Sequence, residues 1–242
     1  MSEELELKLL REIEELKSEL KILKGESKER SNIYSYSKIR DSDLEKLFDI
    51  SQKLDKSKFD KWFNSVLELD SETIAFLTKL IKEEENYLNI YNEEDLKMRF
   101  LSPILREVDF KSENFRDFYN EKLIYENEKF SLVGEVDFLV SKGLRKAKKP
   151  YFFIQEFKRS EEYSNPRPQL LAEMIVGLEL NNWSEIKGAY IVGSIWNFVI
   201  LEKIEDKYIY YISANFDSSK IDDLIGIYKN LMFVKEEILA LD

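Results

Sequence analysis

Two apolar runs in the middle of this chain carry charges that a packed sheet does not accept without a partner. The first reads Gly134-Glu135-Val136-Asp137-Phe138-Leu139-Val140, the second Tyr151-Phe152-Phe153-Ile154-Gln155-Glu156-Phe157-Lys158. Their β-branched and aromatic content reads as buried strands. A carboxylate buried in such a strand costs on the order of several kcal/mol unless a cation or a hydrogen-bond donor meets it. A divalent metal ion is one such partner. Asp137, Glu156 and Lys158 would then gather two carboxylates and an ammonium at one end of a small sheet.

The rest of the composition narrows the chemistry. The 242 residues include no Cys and no His. Disulfides, thiolate zinc sites and cysteine nucleophiles are excluded, as are Ser-His-Asp hydrolases and every His-metal or His-base centre. Any metal must be held by carboxylates, carbonyls and water, which favours Mg²⁺ or Mn²⁺. With only 7 Gly, no glycine-rich phosphate loop is present. The net charge of −11 argues against a generally basic nucleic-acid coat. Charge is uneven, however: Lys142, Arg145, Lys146, Lys148, Lys149, Lys158 and Arg159 face Glu156 alone within one stretch. That stretch reads as a solvated loop whose place beside the acids suits phosphate contact. The N-terminus is acidic, and no apolar run approaches the ~20 residues of a membrane span. A cytoplasmic protein with no membrane contact is expected.

Residues 1–24 read as a coiled-coil-like helix, with Leu9, Ile13, Leu16, Leu20 and Leu23 forming a seam. A homodimer through this helix is expected, since the seam would otherwise expose apolar surface; the other reading is an amphipathic helix folded back on the domain. Residues 25–41 are polar and read as a linker, and residues 42–91 as a helical region. Asn92-Glu93 opens a further helix that Pro103 should kink or end. Strands are predicted at 118–126, 133–141 and 150–157, then an apolar helix at 169–180 and a short strand at 189–192. A hairpin follows around Glu205-Asp206, and a last helix over 221–241. The fold class is α/β: an α-β-β-β-α-β core with a mixed sheet, preceded by the helical region and the N-terminal helix. The core domain spans residues 92–242.

Asp137 on one strand, with Glu156-Phe157-Lys158 ending the next, resembles the PD-(D/E)xK nuclease superfamily, the restriction-endonuclease-like fold. Acid-x-Lys alone is a weak signature; it recurs at Glu6-Leu7-Lys8, Glu15-Leu16-Lys17, Glu19-Leu20-Lys21, Asp95-Leu96-Lys97 and Glu185-Ile186-Lys187. Only Glu156 ends an apolar strand that follows another acid-bearing strand. Asn92-Glu93, with Lys97, Phe100, Leu101 and Pro103 beyond it, is similar to the first core helix of restriction-type nucleases. Gln169 opens the helix after the third strand, where related nucleases often carry a Gln. Ala189-Tyr190-Ile191-Val192-Gly193 and Trp196-Asn197-Phe198 resemble the fourth strand and its turn. The likeness covers about residues 92–213. Val136 stands where the family often has Pro.

The resemblance implies a metal-dependent nuclease of a restriction, defence or mobile-element system, acting on nucleic acid and most naturally on DNA. Asp137, Glu156 and the Phe157 carbonyl would hold Mg²⁺ or Mn²⁺. Lys158 would orient water and offset phosphate charge, and Glu93 would bind a metal-bound water. Gln169, Arg159, Lys148 and Lys149 would contact substrate. Glu135 is left out, as facing the other side of the sheet. The alternative is a catalytically idle nuclease fold that serves as an oligomeric binding or scaffold module.

Overall fold

A computed structural model describes residues 8, 9, 12, 13, 15–17, 32–159 and 165–241. Its frame is one mixed sheet of nine strands with helices on both faces. The strands are β1 (Asn32–Ser35), β2 (Asp49–Gln52), β3 (Phe115–Glu126), β4 (Phe130–Lys142), β5 (Lys148–Lys158), β6 (Glu185–Val192), β7 (Ile195–Ile204), β8 (Lys207–Ile212) and β9 (Phe216–Asp217). The helices are α1 (Asp41–Leu47), α2 (Asp60–Phe63), α3 (Ser71–Glu84), α4 (Glu93–Asp95), α5 (Ser102–Val108), α6 (Pro166–Asn181) and α7 (Ile221–Ala240).

β3, β4 and β5 pair antiparallel, β6 joins β5 in parallel, and β7 and β8 extend the sheet as an antiparallel hairpin. The parallel step from β5 to β6 needs a crossover, which α6 supplies. Two apolar cores sandwich the sheet. α2, α3, α5 and α7 pack on one face, around Trp62, Leu77, Leu105, Phe153 and Leu231. α1 and α6 pack on the other, around Leu44, Ile154, Leu171 and Ile175. α6 is buried between sheet and neighbours along its middle: residues 168–178 are all buried, with Gln169 and Glu173 the polar residues among them.

The expected core order and the hairpin at Glu205 are present, with Glu205 at φ 55 in the turn. Two boundaries are corrected. The stretch read as a linker is structured from Asn32 onward: β1 pairs in parallel with β4, and Tyr36 is fully buried. Tyr36 packs so closely on Gly134 that a Cβ there would lie 2.6 Å from the Tyr36 ring. Its signal was masked by the Ser-rich surroundings. The helical region at 42–91 contains the edge strand β2 and shares its core with the sheet through Phe59, Trp62 and Leu77, so it is no separate unit.

Pro103 neither ends nor breaks its helix. α4 runs through a π-helical stretch, Leu96–Leu101, into α5, and the Ser102 N–H reaches back to the Lys97 carbonyl. The proline nitrogen donates nothing, and the wider turn absorbs the loss. In the N-terminal helix, Leu9, Ile13 and Leu16 are exposed; Leu20 and Leu23 of the seam, and most of the surface expected to dimerise, lie outside the described residues. Among those residues no helix is long and apolar enough to cross a membrane.

Candidate active site

The site begins where β4 and β5 part. Their ladder runs from Lys142↔Lys148 to Phe138↔Gln155 and stops there, while β5 continues beside β6 as far as Lys158↔Val192. Phe157 therefore has no β4 backbone acceptor. The Asp137 carboxylate takes that role, with Oδ2 accepting from the Phe157 N–H at 2.9 Å.

Strand alternation shifts phase at the same place. Leu132 and Val136 lie in the core under α6, yet Phe138 lies in the opposite core. β3 shifts in step: Leu123 is in the α6-side core, Phe115 in the other, and Asn120 between them takes φ 52. Without the shift, Asp137 and Glu135 would share a face, because side chains two apart do so in a regular strand; strand alternation alone therefore gives no ground for setting Glu135 aside. With it, Asp137 turns toward Glu156 and Lys158, and Glu135 is exposed.

Two ammonium groups hold the acids together. Lys158 Nζ stands 2.5 Å from Glu156 Oε1, 3.9 Å from Asp137 Oδ2 and 3.9 Å from Glu93 Oε1. Lys97 Nζ bridges Asp137 Oδ1 at 2.9 Å and Glu93 Oε1 at 3.0 Å. Sequence reasoning left Lys97 out of the site, although its place four residues after Glu93 puts both on one helix face. The π turn that follows Asp95 sets where Lys97 reaches.

Burial and charge set the protonation. Glu156 is fully buried, and loss of solvent followed by repulsion from Asp137 raises its carboxyl well above the ordinary range. Burial pulls the Lys158 ammonium down, but Glu156 and Asp137 outweigh it and leave the net shift upward. Lys97 behaves alike: burial lowers it, and Asp137 and Glu93 more than compensate.

Gln169 and a residue that the sequence reading missed, Glu173, approach from α6. The helix runs antiparallel to β5, and a Cβ on Gly177 would sit 3.1 Å from Ile154. One helical turn back is ~6 Å, and two residues along the strand are ~6.6 Å. Glu173 thus comes level with Glu156, and Gln169 with Lys158. Glu173 is completely buried; one oxygen accepts from Gln169 Nε2 at 3.1 Å and the other has no partner. Loss of solvent, then repulsion from Glu156, raises its carboxyl well above the usual range. A single acid inside the apolar segment Gln169-Leu170-Leu171-Ala172-Glu173-Met174 was the available signal.

Not every expected contact comes together. Gln169 is turned inward to Glu173, away from any substrate. Lys148 and Lys149 open β5, the end opposite Lys158 and roughly 33 Å away at the usual strand rise. Lys148 and Lys149 therefore lie too far along the strand to serve the acids. Arg159 is exposed just past β5. A different set of cations borders the site: a groove of about 460 Å³ opens onto Asp137 and is lined by Lys97, Arg106, Lys111, Arg116 and Tyr119 together with Glu94 and Asp117, and Lys111 also pairs with Asp109 at 3.4 Å. A larger hollow, about 560 Å³, lies at the far end of β6 beside Trp183. Its lysine, Lys187, is already paired with Glu185 and Glu237.

Among the described residues no three acidic side chains stand ready as a metal cage; Lys97 and Lys158 fill the space between them. No protein-family model matches this chain, and no curated protein does.

Proposed function

We propose that this chain is a divalent-metal-dependent nuclease that hydrolyses phosphodiester bonds in nucleic acid, with DNA the first substrate to test. The observation that carries the reading is the meeting of Asp137, Glu156 and Lys158 where β4 and β5 part, beside a groove edged by Arg106, Lys111 and Arg116. The succession α4–α5, β3, β4, β5, α6, β6, with β6 parallel to β5, supports the restriction-endonuclease-like core that the sequence resembles.

Asp137, Glu156 and the Phe157 carbonyl would hold Mg²⁺ or Mn²⁺. The donors are all oxygen, as a hard cation requires. A strand residue's N–H and C=O face the same neighbour, so the Phe157 carbonyl shares the gap that Asp137 enters. An ion held there would supply positive charge to the phosphate and acidify a bound water. Lys158, held in its charged form, acts on the phosphate as a cation, where charge grows in the transition state. Glu93 orients Lys97 and a water at the mouth of the groove. Arg106, Lys111 and Arg116 neutralise backbone phosphates, which answers how an acidic chain engages a polyanion.

One observation favours a second reading, a catalytically idle nuclease fold used as a binding or scaffold module. Lys97 already satisfies Asp137 and Glu93 without a metal. Plasmid, single-stranded DNA and RNA incubated with MgCl₂, MnCl₂ or EDTA separate the two. The nuclease reading expects cleavage with either metal and none with EDTA; metal binding without cleavage of any of the three supports the idle fold.

A further inference from the structure

We propose that Glu173 is a metal ligand: with Glu156 it would close the divalent-cation site from the α6 side, beneath Asp137, the three carboxylates drawing together around an ion that their metal-free arrangement does not cage. This rests on the nuclease reading above and adds a carboxylate that the strand-borne acids did not reveal. The first support is the pair of orphaned oxygens. Glu156 Oε2 and Glu173 Oε2 are both buried and neither meets a hydrogen-bond donor, the Asp137 carboxylate standing beside Glu156 as a second acceptor, on residues that the helix–strand register brings level. Buried carboxylate oxygens are as a rule satisfied, and a site that leaves two neighbouring ones open is built to receive something positive.

The second support is the charge count. Glu93, Asp137, Glu156 and Glu173 stand against Lys97 and Lys158 alone. Were all four acids ionised, the cluster would carry a formal excess of two negative charges, which one divalent cation would cancel. The third is the support behind Glu173. Gln169 Nε2 donates to its other oxygen, leaving Oε2 as the free donor atom. Metal-binding carboxylates are commonly held in this way by a second hydrogen bond. Neither Gln169 nor Glu173 reaches the groove, so substrate contact does not explain them.

The test is calorimetric titration of the full chain with MnCl₂ and MgCl₂, without nucleic acid, for wild type, Glu173→Gln and Glu173→Asp. Thermal unfolding of each protein is recorded with and without metal. Glu173→Gln keeps the shape and the Gln169 contact and removes the charge. It should fold and melt no lower than wild type in EDTA, bind Mn²⁺ roughly tenfold or more weakly, and lose most of the metal-induced rise in melting temperature. Glu173→Asp, which draws the charge back by one methylene, should bind with intermediate affinity. If wild type binds the metal and both variants bind it equally well, Glu173 is no ligand and the nuclease reading stands without it. If wild type binds neither Mn²⁺ nor Mg²⁺, both ideas fall together. If Glu173→Gln does not fold, the aspartate variant decides: wild-type affinity overturns the assignment.

Discussion

Lys97 behaves in this structure as a resident cation at the place where Asp137 and Glu93 meet, and replacing it with Met exposes that role. The variant keeps the apolar stem and loses the ammonium. Asp137 Oδ1 loses its 2.9 Å partner and Glu93 Oε1 its 3.0 Å partner. At an effective dielectric near ~20, unit charges ~3 Å apart attract by about 5–6 kcal/mol before desolvation is counted. Removing one member of a buried pair costs about 3–5 kcal/mol. The Lys97 side chain is 16% exposed and borders the groove, so water enters the vacated space and the lower end applies, about 3 kcal/mol. For a chain of this size that corresponds to a fall in melting temperature of about 6–12 °C. Saturating Mg²⁺ should recover most of it, since a ligand at ~100 times its dissociation constant returns ~2.7 kcal/mol. Differential scanning calorimetry of EDTA-treated Lys97→Met, with and without MgCl₂, reads both effects. A variant that melts with wild type, or whose loss Mg²⁺ does not restore, refutes the idea that Lys97 and the metal neutralise the same acids.

Three further outcomes follow from the geometry. Arg106→Glu combined with Arg116→Glu should weaken binding of labelled DNA, and lower the salt dependence of that binding, while leaving the metal-induced thermal shift unchanged; fluorescence anisotropy across a salt series checks this. The raised carboxyls of Glu156 and Glu173 make the metal-free protein pH-sensitive. Their folded values lie above their unfolded ones, so the linked stability is full at low pH and is lost as pH rises through the folded values. Melting temperature in EDTA should therefore fall as pH rises above the ordinary carboxylate range, less steeply in Glu173→Gln. Gly134→Ala should cost about 1–3 kcal/mol by overpacking, because its new methyl meets the buried Tyr36 ring at 2.6 Å; urea unfolding measures the loss.

What the sequence disclosed and what it hid divide along physical lines. Asp137, Glu156 and Lys158 were legible because charges inside apolar strands conflict with burial and so declare themselves. The succession of elements from β3 to β6 along the chain was legible from these runs together with the apolar segments at 118–126, 169–180 and 189–192. The phase shift at Asn120 and Asp137 was not, since no local pattern marks it, yet it decides that Asp137 rather than Glu135 faces Glu156. Glu173 was hidden because an apolar helix with one acid reads simply as a core helix. Lys148 and Lys149 misled because nearness in sequence to Lys158 is distance along an extended strand. β1 was missed because its burial comes from pairing with β4, a contact nearly a hundred residues away.

The central claim is that Asp137 and Glu156 belong to one metal-dependent hydrolytic centre. The most direct measurement is the rate of DNA cleavage in MnCl₂ by wild type, Asp137→Asn and Glu156→Gln, each with a matched EDTA control. The asparagine retains an acceptor for the Phe157 N–H, so loss of rate is not loss of fold, which circular dichroism verifies. The account predicts metal-dependent cleavage by wild type and a fall to the EDTA baseline in both variants. Variants that cut as fast as wild type would contradict it.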